Sequence, residues 1–143
     1  MRALERSRSV ALEEARTLAA ARATELADKE ATREELARAR EAAYEARRRQ
    51  VASNGTFTVQ QLHWNHHYAV SQLALEQAAR ATCEVARTAL REAQEDTARR
   101  LEELRVVEKL RARREVEAQR LSGRRDQERL DELGLIKSWR KTS

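Results

Sequence analysis

The chain has 143 residues, of which 37% are charged, 41% hydrophobic and only 3% aromatic, with three glycines and no proline. Much of the hydrophobic share is alanine, and one Phe and one Ile cannot supply the bulky side chains that a compact domain of this length buries around a cleft. A composition led by Ala, Glu, Arg and Leu is instead that of long helices or a coiled coil.

The net charge of +5 is unevenly placed. Residues 1–98 hold 15 basic and 15 acidic side chains, whereas residues 99–143 hold 14 and 9. Arg99-Arg100, Arg113-Arg114 and Arg124-Arg125 make the second part a cationic arm suited to an acidic partner surface. Glu128 and Glu132, spaced helically from Arg124 and Arg129, also pair with them along the helix. No apolar run approaches the roughly 18 residues of a membrane-spanning helix. Met1-Arg2-Ala3-Leu4-Glu5 begins no apolar signal-peptide core. A single cysteine, Cys83, closes no internal disulfide and reads as a small packing residue in mid-helix. The expectation is a cytoplasmic protein without a transmembrane segment.

In chain order, a first helix is predicted over about 3–51. Leu4, Ala11 and Leu18 recur every seven residues, with Ala15 between the last two, followed by Leu26, Leu36, Ala39, Ala43 and Ala46. This is a narrow apolar row rich in small residues, so the helix needs a partner. A turn is predicted over about 52–57, where Ser53-Asn54-Gly55-Thr56 holds the only glycine of the first 120 residues. The second helix is predicted over about 58–133. Thr58 and Gln61 have the spacing of a capping box, and Phe57 and Leu62 that of a hydrophobic staple. Its apolar row includes Leu62, Leu73, Leu90, Ala93, Thr97, Leu101, Leu104, Val107 and Leu110, and continues weakly through Leu121, Leu130 and Leu133. Ser122-Gly123 is a soft spot, and Gly134 reads as a C-terminal cap before a short tail, 134–143.

Together these elements predict an all-α, elongated antiparallel two-helix coiled-coil hairpin. At about 1.5 Å per residue the helices would measure roughly 70–75 Å and 110 Å. The mismatch leaves the cationic, Leu-bearing end of the second helix without a partner in its own chain, which implies one elsewhere.

Signals for chemistry are weak. His63, His66 and His67 cluster, but Trp64 stands where a zinc-protease helix needs Glu, and no neighbouring Cys, Asp or Glu completes a ligand set. Phosphate loops and nucleophile elbows are missing, and carboxylates on an exposed helix lack the pocket that would tune them. No enzyme activity, metal or cofactor is expected. Arg-rich helices can track phosphates, which makes a basic helical nucleic-acid-binding protein the rival class. The interleaved acidic residues weigh against it, so no nucleic acid is expected. Tyr44, Phe57, Trp64 and Tyr68 gather round the turn, either packing the hairpin end or forming an exposed contact patch.

Val106-Val107-Glu108-Lys109-Leu110, Arg113-Arg114 and Arg129-Leu130-Asp131-Glu132-Leu133 look like two characteristic segments of one family, and Tyr44, Gly55, Leu62 and Tyr68 fall at similar spacings to its first-helix tyrosine, turn and second-helix aromatic. In these features, over nearly its whole length, the chain resembles FliJ, the coiled-coil component of the bacterial flagellar type III export apparatus. The resemblance implies an antiparallel hairpin similar to the central stalk subunit of rotary ATPases. It implies three partners: the export ATPase hexamer, the cytoplasmic domain of the export gate protein, and export chaperones. It places the protein in the cytoplasm, peripherally associated with the inner-membrane export apparatus. Tyr44, Tyr68, Leu75 and Leu62 are the implied gate contacts, and Arg40 and Gln72 stand where the family carries larger or apolar groups. Leu4, Leu130, Asp131, Glu132 and Leu133 are the candidates for the ATPase contact. The stalk protein of a virulence-type secretion system is the nearest alternative.

Overall fold

Uninterrupted runs of good helix formers leave little room for anything but helix. The computed structural model describes residues 1–56 and 58–142, and these are all-α: α1 spans Arg2–Asn54 and α2 spans Val59–Thr142. The two pack against each other as an antiparallel helical hairpin. No helix of the described residues is long and apolar enough to cross a membrane.

The turn is built as its residue types dictate. Ser53 and Asn54, read from the sequence as turn, belong to α1. Gly55 comes next in the left-handed region, with φ of 61°, and its N–H donates to the carbonyl of Val51 at 3.1 Å, which closes the helix end. On the other side Thr58 caps α2. Its N–H donates to Gln61 Oε1 at 3.1 Å, and the Gln61 N–H donates to Thr58 Oγ1 at 3.3 Å. Both halves of the capping box are therefore made. The staple expected between Phe57 and Leu62 falls outside the described residues.

The expected stop at Gly134 is corrected. α2 runs through Gly123 and Gly134 to Thr142. A mid-helix glycine costs about 1 kcal/mol relative to Ala, which a long helix absorbs when no proline comes after it. Beyond Gly134 the helix has its own support. Ser138 Oγ donates to the Leu135 carbonyl, Thr142 Oγ1 donates to those of Ser138 and Trp139, and Arg140 and Lys141 complement the helix dipole in the last turn. The segment 134–142 is thus helix, not tail.

The contacts gather into two compact units, Glu13–Ala98 and Met1–Leu12 with Arg99–Ser143. In the first, the covered positions of α2 include a row of Gln72, Glu76, Ala79, Cys83, Ala86, Leu90, Ala93 and Thr97, at alternating steps of four and three. Those of α1 include Ala15, Ala19, Arg22, Leu26, Arg33, Leu36, Ala43 and Arg47. Such spacing is the seven-residue repeat of a coiled coil. Arg40 bridges to Glu76 at 2.8 Å and Arg87 to Glu30 at 2.9 Å. Within a residue, each pair lies equally far from Thr58 in sequence, as antiparallel pairing about the turn requires. In the second unit Leu12 and Val107 are buried, Arg111 bridges to Glu5 at 2.7 Å, and Arg8 pairs with Glu103.

The contact row matches the expected one in part: Leu26, Leu36 and Ala43 of α1 and Thr97, Leu101 and Leu104 of α2 are covered as expected. Leu4 and Leu18 are exposed, and the covered row of α1 lies one position on, through Glu5, Leu12 and Ala19. On α2, Leu62, Leu73 and Leu110 are likewise exposed, whereas Leu90, Ala93 and Val107 are covered as expected. Ala39 and Ala46 are exposed too. Among the described residues Cys83 is fully buried, and most of its buried neighbours along the repeat are alanines. Small side chains let the backbones approach closely, and several leucines, Leu4, Leu18, Leu73 and Leu110 among them, fall outside the contact, while Leu12 is buried within it.

The glycines give opposite expectations. Gly55→Ala should lower stability by about 1 kcal/mol, since an L side chain is strained at that φ although the space around it is open. Gly123→Ala, in a helical conformation with no atom near its added Cβ, should raise it by about 0.5–1 kcal/mol. Thermal unfolding followed by circular dichroism compares the two.

Candidate contact surfaces

Near the turn Tyr44, Trp64 and Tyr68 are not filler for the hairpin end, and Phe57 lies outside the described residues. Trp64 is 71% exposed, Tyr44 64% and Tyr68 38%. Trp64 and Tyr68, one helical turn apart on α2, stack with centroids 6.2 Å apart and planes 4° from parallel. The Arg48 guanidinium lies over the Tyr44 ring at 5.9 Å. His63 and His67 meet edge to face at 4.8 Å, and His67 also meets His66. Among the described residues no group of three or more His, Cys, Asp and Glu is gathered as a metal cage would need.

The repeat sorts the four proposed gate contacts. Tyr44 lies two heptads from Glu30, and Leu73 two heptads from Arg87, so both share the flank that carries the Glu30–Arg87 bridge. Tyr68 and Leu75, seven residues apart and each adjoining the covered row from its other side, occupy the opposite flank. Leu62 is exposed near the start of α2. Tyr44 and Tyr68 are thus both accessible but face different sides of the helix pair.

No known family, curated protein or solved structure matches this chain. What the chain offers a partner must therefore be read from its own side chains.

One functional-looking residue escaped the sequence reading. Glu76 is only 7% exposed and occupies a contact position of α2. Its Oε2 accepts from Arg40, while Oε1 is buried without a hydrogen-bond partner among the described residues. The available signal was its place in the repeat, four residues after Gln72 and seven before Cys83. Other cross-helix pairs are more open. Arg87 is held above the ordinary guanidinium range by its bond to Glu30 and the nearby charge of Glu84, and Arg111 by bonds to Glu115 and Glu5. Both remain charged at any relevant pH, so these bridges set geometry rather than a titration.

The second surface is the end of α2. Every residue from 112 to 142 is exposed. The proposed ATPase contacts Leu130, Asp131, Glu132 and Leu133 all lie in this stretch, and Leu4 is exposed on α1 in the same unit. Asp131 Oδ1 accepts from Gln127 Nε2 at 3.0 Å. Leu135, Ile136, Trp139 and Arg140 form an open apolar patch close to the chain's end. A helix exposed on all sides while carrying leucines and a tryptophan offers considerable apolar area to a partner.

Proposed function

We propose that this chain is a FliJ-type coupling protein of the bacterial flagellar type III export apparatus, a binding component rather than an enzyme. It binds the export ATPase hexamer as a central stalk, promotes assembly and activity of that hexamer, and links it to the export gate, with a part in handling export chaperones. It works in the cytoplasm, peripherally associated with the inner-membrane apparatus. The observation that carries this reading is the end of α2, which continues as exposed helix from 112 to 142 and lies within the region holding the entire net positive charge. A cationic helical end suits insertion into an acidic ring, and the exposed aromatics near the turn suit a second, separate contact. The stalk of a virulence-type system would share these features. Assay against one ATPase of each kind separates the two.

The test is ATP hydrolysis by the cognate export ATPase at concentrations where its hexamer is only partly assembled. Addition of this chain should raise the rate several-fold, with a smaller gain once assembly is complete. An unchanged rate at every ATPase concentration would refute the stalk reading.

A further inference from the structure

We infer that the C-terminal segment of α2, from about 114 to 142, is an interface for a second copy of this chain, paired antiparallel. The inference does not depend on the export reading. It rests on three observations: the segment is helical, it is exposed on every side, and its charges are ordered so that it is complementary to itself.

The contact row of the hairpin fixes how two such helices would meet. Continuing the seven-residue repeat from Val107 and Arg111 brings Arg114, Ala118, Leu121, Arg125, Glu128 and then Glu132, Leu135 and Trp139 onto one face. Within the hairpin, Arg40 meets Glu76 and Glu5 meets Arg111, all from the same class of repeat position. Under that rule an antiparallel pair can set Arg125 opposite Glu132 of the second copy, and symmetry supplies the reciprocal contact. The same register sets Leu121 opposite Leu135 and the small Ala118 opposite the large Trp139. On one flank Arg124 faces Asp131 of the second copy. At the two-fold axis two copies of Glu128 and two of Arg129 meet, and their charges cancel.

Other registers lose this match. A shift of one heptad either way places Arg125 against Arg125 or Glu132 against Glu132. A parallel pair makes both of those like-charge contacts together. Charged contact positions thus select one arrangement by penalising the rest, as they do in coiled coils generally. Leu130 and Leu133 lie off this face and stay available to another partner.

Light scattering or sedimentation equilibrium on the full chain tests the idea. Across a rising concentration series the mass should move from 16.5 kDa toward twice that value. R124E/R125E and D131R/E132R should each remain monomeric, because either change sets like charges across the interface. Circular dichroism should show unaltered helicity for both, since all four side chains are exposed. An equimolar mixture of the two variants should recover the doubled mass as a heterodimer. For orientation, Glu128→Cys in a Cys83→Ala background should cross-link to itself on oxidation, whereas Leu135→Cys in that background should not. A wild-type chain that stays at monomer mass throughout would overturn the proposal, and so would a dimer indifferent to the reversals or a mixture that fails to pair.

Discussion

Arg40→Leu is expected to destabilise the hairpin by about 2–3 kcal/mol, more than any exposed ion pair of this chain should cost when broken. The reason is the partner it abandons. Glu76 lies in the contact row, with Oε2 held by Arg40 at 2.8 Å and Oε1 unpartnered among the described residues. Removal of one member of a buried pair typically costs about 3–5 kcal/mol, because the remaining charge keeps its desolvation and loses its compensation. The Arg40 side chain is itself 52% exposed, which places the effect toward or below the lower end of that range.

The converse change separates the two partners. Glu76→Leu should be close to neutral or stabilising, since the Arg40 guanidinium can turn to water and leucine suits the contact row. Arg40→Leu with Glu76→Leu should restore or exceed wild-type stability. Urea unfolding of the four proteins forms a double-mutant cycle. A cycle in which Arg40→Leu costs no more than a surface substitution would show that Glu76 is not an uncompensated buried charge.

Such local chemistry also marks where the sequence was readable. The turn was legible because Gly55 is the residue that tolerates a positive φ, and Thr58 with Gln61 can satisfy each other's amides without help from the rest of the chain. The unequal helix lengths came directly from where the turn falls. The contact row was less legible, because neighbouring rows on a helix differ by one residue and about 100° of rotation. Leu4 and Leu18 mark the more hydrophobic row, yet Ala19, Cys83 and Ala86, which the expected row lacked, mark the one that packs. A hydrophobicity pattern rewards large side chains, whereas close approach of two backbones rewards small ones. A charged side chain such as Glu76 in that row is invisible to either rule until its partner is known. Gly134 misled for a related reason: glycine ends a helix only when the residues after it cannot continue the helix, and here Leu135 to Thr142 can. As for the candidate contacts, their exposure could not be told in advance, and the division of Tyr44 from Tyr68 needed the register that the Glu30–Arg87 bridge supplies.

That division shapes the second large expected effect. If the chain docks on the export gate as proposed, Tyr68→Ala should weaken binding to the gate's cytoplasmic domain at least tenfold, with helicity unchanged. Tyr68 is exposed, stacked against Trp64, and shares its flank of α2 with Leu75, so one partner face can cover the tyrosine and the leucine together. Rigid aromatic anchors of this kind commonly carry about 2 kcal/mol or more of an interface, and about 1.4 kcal/mol already amounts to tenfold. Tyr68→Phe keeps the ring and the stack and should retain most of the affinity. Tyr44→Ala is the informative comparison, because its ring lies on the other flank under Arg48. A partner that docks on the Tyr68 flank should lose less than threefold with Tyr44→Ala, a change of about 0.6 kcal/mol. Calorimetric titration of the three variants against one gate preparation reads all of these losses directly. Equal losses from Tyr44→Ala and Tyr68→Ala would mean that the partner grips both flanks of the helix pair. A loss from neither would remove the aromatic patch from the gate contact altogether.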